Sequence, residues 1–114
     1  MIALWHNPRC SKSRQALALL QDAGADVQVR RYLEDAPSAD EIEAMRQALG
    51  GIPAMQMMRT GEKLFRELGL AKDMSDVDAV AAMAAHPILI ERPLASTGTK
   101  AVIGRPPEDV LQLV

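Results

Sequence analysis

The sequence predicts an α/β fold, and three observations carry that prediction. An apolar strand pattern at the N-terminus runs into a helical pattern and then into a second, alternating strand pattern. Capped and punctuated helical segments fill the middle of the chain. Two short strand patterns around a turn, followed by a proline-opened helix, close it.

Taken in order, Ile2-Ala3-Leu4-Trp5 reads as a short buried strand. Lys12 to Ala23 has apolar residues at Ala16, Leu19, Leu20 and Ala23, the spacing of one helix face, and Gly24 stands where a helix C-terminus favours glycine. Val27 and Val29 alternate with polar residues, which predicts a strand over Val27 to Tyr32. A helix between two strands favours parallel pairing. Pro37 breaks the chain, and Ser38-Ala39-Asp40-Glu41 is a capping box that opens a helix with a buried stripe of Ile42, Met45 and Leu49. Gly50-Gly51 ends it. Ile52 to Met58 predicts a short helical turn in which Met55, Met57 and Met58 pack, and Glu62 to Leu68 predicts a further short helix ended by Gly69. Ser75 caps another helix, whose inner face is read as Val77, Val80, Ala81 and Ala84, and His86-Pro87 stops it. Ile88-Leu89-Ile90 is too short for a helix and suits a central strand. Leu94 to Ser96 and Lys100 to Ile103 flank Thr97-Gly98-Thr99 as a hairpin, and Pro107 to Leu113 forms the last helix.

The order β-α-β, several helices, then β-β-α is a thioredoxin-like layout: a mixed four-stranded sheet with a helical insert between its two halves. No repeat, linker or low-complexity tract interrupts the 114 residues, so a single domain over 1–114 is expected, long enough to bury a core. The chain is 48 % apolar with a net charge of −2, which argues against nucleic acid or an anionic membrane as partner. No apolar run approaches membrane-spanning length, and the first residues enter a strand pattern directly, so no signal peptide is expected. One cysteine forms no internal disulfide. With two histidines it makes a poor metal site, and no bound metal or cofactor is expected. The expected compartment is a reducing cytoplasm.

That one cysteine, Cys10, lies in His6-Asn7-Pro8-Arg9-Cys10-Ser11-Lys12-Ser13-Arg14, at the junction of the first strand and helix. A helix N-terminus stabilises a thiolate through its free N–H groups and its dipole. Arg9, Lys12 and Arg14 crowd the segment, and no acid precedes Asp22. Cations there oppose the helix dipole, so local helix stability does not explain them. Lowering a thiol pKa by about two requires roughly 2.7 kcal/mol, whereas a helix terminus supplies about 0.3–1 kcal/mol. A cation is therefore needed. The candidates are His6, Arg9, Lys12, Arg14 or an arginine brought in by folding.

His6-Asn7-Pro8-x-Cys10-x-x-Ser13-Arg14 resembles the opening motif of the glutaredoxin-linked arsenate reductase family. Further stretches agree in order and spacing: Tyr32-Leu33-Glu34 with Pro37-Ser38, Met58-Arg59, Glu67-Leu68-Gly69-Leu70, His86 to Pro93, and Gly104-Arg105-Pro106. The resemblance spans almost the whole chain, and the short C-terminal segment after Gly-Arg-Pro-Pro-Glu is similar to a chromosomal subgroup of the family. The resemblance implies a thioredoxin-like fold, a cis-proline at Pro93, and Cys10 as nucleophile with His6 and Ser13 as helpers. It carries the substrate arginines onto Arg59, Arg92 and Arg105, whose planar guanidinium groups suit a tetrahedral oxyanion. The implied activity is reduction of arsenate to arsenite with glutathione as co-substrate and glutaredoxin as partner.

A lone cysteine leaves no internal disulfide to take up electrons, which requires an outside thiol. The phosphatase-type Cys-x5-Arg loop fails, because Ala16 holds the arginine position. Two alternatives remain at this level. Cys10-x-x-Ser13 also resembles the single-thiol pattern of a monothiol glutaredoxin-like oxidoreductase. Related thioredoxin-like proteins are non-enzymatic redox regulators that bind RNA polymerase, though often through paired cysteines.

Overall fold

The computed structural model describes residues 1–114 and contains a four-stranded sheet of order β2-β1-β3-β4. The strands are β1 (Ile2–Trp5), β2 (Val27–Arg30), β3 (Leu94–Ser96) and β4 (Ala101–Ile103). β1 pairs parallel with β2 and antiparallel with β3, and β3 pairs antiparallel with β4. This is the thioredoxin-like arrangement. The helices are α1 (Ser11–Asp22), α2 (Ala39–Ala48), α3 (Lys63–Glu67) and α4 (Asp76–Ala85), with three 3-10 segments at Ala54–Met57, Pro87–Leu89 and Pro107–Leu113. None is long and apolar enough to cross a membrane.

Side chains alternate across a strand, so β1 feeds two cores. Ile2 and Leu4 meet Ala16 and Leu20 of α1, Ala95 and Val110 on one face. Trp5 points to the other, where the insert buries Tyr32, Ile42, Met45, Met57, Met58, Met83 and Leu89 among others. α1 ends as its glycine requires: Gly24 has φ +76°, and the N–H groups of Gly24 and Ala25 return to the carbonyls of Gln21 and Leu20 at 3.0 Å each. At the start of α2 the capping box is complete. Ser38 Oγ accepts from the Glu41 N–H at 3.1 Å, and Glu41 Oε1 accepts from the Ser38 N–H at 3.0 Å. Arg30 adds an ion pair to Glu41, and this guanidinium together with the Ser38 N–H depresses the Glu41 pKa to about 2. Ser38→Ala is expected to lower unfolding stability by about 1 kcal/mol in chemical denaturation, with the denaturant dependence unchanged.

Five details depart from the sequence reading. Ile88-Leu89-Ile90 is not a central strand. Pro87 opens a 3-10 turn, and Ile90 makes only an isolated bridge to Met58. Pro87 and Pro93 bracket the run too closely for a strand, and β1 and β3 hold the sheet centre. The buried face of α4 is Ala79, Val80 and Met83; Val77 is 78 % exposed and Ala81 is exposed. A helix made largely of small apolar residues carries no polar stripe to set its rotation. Its rotation follows the packing of Ala79, Val80 and Met83 in the core, and Asp76 at its start accepts from the distant Ala54 N–H through Oδ1 at 2.9 Å. β2 stops at Arg30, so Tyr32 enters the core from a turn, and Pro107–Leu113 is 3-10 rather than α-helical. Ala23 is exposed beyond the buried stripe of α1.

Gly104 holds the C-terminal half against the site. A Cβ there would lie 2.6 Å from Pro93 Cγ and 3.0 Å from Val110 Cγ1, so only glycine fits without a shift. The Gly104 N–H donates to the Pro93 carbonyl at 2.9 Å. The Arg92–Pro93 bond is cis, as the resemblance implies, and so is Arg105–Pro106.

Candidate active site

Cys10 is the N-cap residue of α1, with extended backbone (φ −92°, ψ 122°), and only 8 % of it is exposed. Asn7 shapes the approach. Its carbonyl accepts from the Cys10 N–H and its Oδ1 accepts from the Arg9 N–H, both at 3.0 Å. The first helical bond then runs from the Arg14 N–H to the Cys10 carbonyl at 3.0 Å. The first turn of α1 contains no acid. Sγ makes no regular capping hydrogen bond, but the N–H groups of Ser13 and Lys12 face it from the positions where a cap side chain is served.

Two guanidinium groups reach the sulfur from the far end of the sequence. Arg105 Nη2 lies 3.8 Å from Sγ, and its Nε donates to the Arg92 carbonyl at 2.9 Å. Arg92 is also directed at the thiolate, and its Nε is buried without a hydrogen-bond partner. Burial pushes the Cys10 thiol up. The Ser13 N–H, the Arg92 guanidinium and the Lys12 N–H pull it down further, and the net pKa falls below the ordinary 9.0. The rate of Cys10 alkylation by iodoacetamide is accordingly expected to rise with pH to a plateau with its midpoint below 9.0. The same thiol in denatured chain titrates at the ordinary value. Because the folded pKa is the lower one, the thiolate contributes stability that is present above the unfolded pKa and lost as pH falls through the folded value.

The cations nearest in sequence are not the ones at the sulfur. Arg9, Lys12 and Arg14 are exposed, and Arg14 Nη1 donates to the Pro8 carbonyl at 2.9 Å. Of these residues, Lys12 faces the thiolate through its backbone alone. His6 is not a cation near neutrality either: burial and then the positive charges of Arg31 and Arg14 lower its pKa from 6.5. Its Nδ1 lies 2.7 Å from Ser13 Oγ, and that hydroxyl also accepts from the Asn7 N–H at 3.0 Å. The Ser13 side chain thus pins the loop under Cys10, while its N–H serves the sulfur.

Arg59 lies one step away. An antiparallel contact ties its segment to the stretch before Pro93: the Arg59 N–H donates to the Leu89 carbonyl at 2.7 Å, and the Glu91 N–H to the Met57 carbonyl at 2.6 Å. Arg59 Nη1 then donates to Glu91 Oε1 at 2.9 Å, and its Nε sits 3.5 Å from Glu62 Oε2. The folded chain therefore brings Cys10, Arg92 and Arg105 together directly and joins Arg59 to them through Glu91. Two residues in this neighbourhood, Glu91 and Tyr32, receive no role from the sequence. Tyr32 is almost fully buried; burial pushes its hydroxyl up to about 12, against the charges of Arg92 and Arg59, so it stays neutral. The chain's single tyrosine, set in Arg30-Arg31-Tyr32-Leu33-Glu34, was the available signal.

Comparison with known proteins gives consistent matches. The ArsC family pattern matches residues 5–113. A Haemophilus influenzae protein named arsenate reductase is 41 % identical over 114 residues, covering 99 % of this chain and 98 % of that protein. An uncharacterized Escherichia coli protein, YfgD, is 42 % identical over 114 residues, with 99 % and 96 % covered. The structure of an arsenate reductase from Vibrio cholerae superposes with a TM-score of 0.92 at 47 % identity, covering 99 % of this chain and 97 % of that one.

Proposed function

This chain belongs to the ArsC family, and we propose on that premise that it reduces arsenate to arsenite through Cys10, with glutathione and glutaredoxin supplying the electrons. The observation that carries the reading is the sulfur itself: a single thiol at a helix start, its pKa lowered, with Arg105 Nη2 at 3.8 Å and Arg92 beside it. An electron-rich sulfur inside a cluster of guanidinium groups suits attack on a tetrahedral oxyanion.

In the proposed cycle the Cys10 thiolate attacks arsenic(V), and a protonated oxygen leaves as water. Arg92 and Arg105 hold the remaining oxygens, with Arg59 assisting from the Glu91 side. A glutathione thiol displaces a second oxygen as water, giving arsenic bonded to both sulfurs. The two S–As bonds collapse into one S–S bond between Cys10 and glutathione. Arsenic keeps the electron pair, takes up one water and departs as arsenite. Glutaredoxin, or a second glutathione, attacks the glutathione sulfur of that disulfide and frees Cys10. The neutral His6–Ser13 pair keeps the loop in place and leaves the guanidinium groups as the positive charge.

The test is arsenite formation by the full chain with arsenate, glutathione and glutaredoxin, together with intact-mass analysis after omission of glutaredoxin. The expected result is turnover, and arsenate-dependent accumulation of a Cys10–glutathione disulfide. Turnover with a thioredoxin system alone would overturn the electron-donor assignment. Deglutathionylation of protein substrates without arsenite formation would favour the monothiol oxidoreductase instead.

A further inference from the structure

Glu91 Oε1 accepts from Arg59 Nη1 at 2.9 Å and from the Arg92 backbone N–H at 3.1 Å, and it lies 3.1 Å from Arg105 Nε in an ion pair. The carboxylate is thus tied to all three arginine residues of the site, through two guanidinium groups and one main-chain N–H. The side chains of Glu91 and Arg59 are each about a quarter exposed, at 22 % and 25 %, and a cavity of about 310 Å³ opens beside them, lined by Met58, Arg59, Thr60, Gly61, Glu62 and Glu91. The pair is reachable from solvent and is not locked in the core.

The charges around the sulfur have a definite balance. Arg59, Arg92 and Arg105 contribute three positive charges; the thiolate and Glu91 contribute two negative ones, and Glu62 adds a third at the outer side of Arg59. A tetrahedral oxyanion needs forked donors, yet Arg59 already spends an N–H on Glu91, and Arg105 spends its Nε–H on the Arg92 carbonyl while its charge is paired with Glu91. Only Arg92 has a buried N–H without a partner.

We propose that Glu91 is a positioning and specificity-determining residue that acts as a resident anion: it holds Arg59 and Arg105 in place and competes for them with incoming tetrahedral oxyanions. Unreactive oxyanions such as phosphate and sulfate, which gain only charge and hydrogen bonds, are held weakly. An oxyanion that bonds covalently to the sulfur is retained despite the competition. This inference rests on the oxyanion reading of the site and adds a residue that works through the arginines without touching sulfur.

The test needs no turnover. In the full chain, Cys10 alkylation by iodoacetamide is followed at constant pH and ionic strength against increasing sulfate or phosphate, and the thiolate is titrated by its ultraviolet absorbance. Glu91→Gln keeps an acceptor oxygen and removes the charge, whereas Glu91→Asp keeps the charge. Glu91→Gln is expected to be protected at anion concentrations about tenfold lower than the parent, with a lower thiol pKa. Glu91→Asp is expected to return both towards the parent. A purely structural role for Glu91 would leave the half-protecting concentration and the thiol pKa of the Gln variant unchanged, and that result overturns the proposal. If sulfate and phosphate protect parent and Gln variant equally, the proposal falls while the oxyanion site stands. If no oxyanion, arsenate included, protects either protein, both fall.

Discussion

Cys10→Ser is expected to reduce arsenite formation to the no-enzyme background while leaving the fold intact. Serine is among the favoured N-cap residues and is nearly the size of cysteine, so α1 loses nothing at its start. The loss is chemical. A serine hydroxyl is essentially un-ionised near neutrality, and the site has no general base at the sulfur to activate it, since His6 is turned to Ser13 at 2.7 Å. Even if an arsenate ester formed, oxygen cannot join glutathione in a disulfide, so arsenic would gain no electrons. Steady-state arsenite production and the thermal midpoint, measured together, check the point. An inactive variant with a parental midpoint is the expected pair. Retained activity would remove Cys10 from the mechanism and with it the reading of the whole site.

Arg92→Ala is expected to lower kcat/KM for arsenate by about 10²–10³, the range for removing one preorganised donor from developing negative charge. It is also expected to raise the Cys10 pKa. Arg92 carries this weight for a geometric reason. Arg59 and Arg105 are shared with Glu91, while Arg92 faces the sulfur with a buried Nε that no protein group satisfies. Its guanidinium is one of the groups that hold the thiol below its ordinary value. Arg92→Lys is expected to recover part of the thiol pKa and little of the turnover. An ammonium supplies charge but not the planar fork that matches two oxyanion oxygens. Thiolate absorbance against pH and kcat/KM for arsenate separate the two effects. If Arg92→Ala shifted neither quantity, the guanidinium would have no part in the site.

Local signals were strong wherever the chain's own backbone decides the outcome. The capping box at Ser38 and Glu41, the glycine ends of the helices, and the hairpin around Gly98 follow from side chains within a few residues of each other. α4 was half legible, because alanines on every side leave the rotation of the helix to distant packing partners rather than to its own sequence. Ile88–Ile90 had the composition of a strand but lacked the neighbours to make one. The site shows the same division. Cys10 at a strand-to-helix junction could be read directly. The nearby cations could be read too, and they pointed the wrong way, since Arg14 is spent on the Pro8 carbonyl. Arg59, Arg92 and Arg105 have no periodicity that would group them, and only the family resemblance did so. Glu91 carried no signal at all: an acid beside an arginine looks like an ordinary surface pair until the fold places Arg59 and Arg105 on the same oxygen.

Arg105, which touches the sulfur, and Arg92, whose guanidinium helps hold the thiol pKa down, both come from the C-terminal part of the chain, Arg105 being 95 positions from Cys10, and the helix N–H groups that share the task need α1 to be formed. A nascent or partly unfolded chain therefore carries an unremarkable thiol, mostly protonated in the cell and slow toward electrophiles. Chemical potency is switched on by completion of the architecture. Incomplete copies are expected to react more slowly with electrophiles, so labelling speed at Cys10 doubles as a gauge of how many molecules have finished folding.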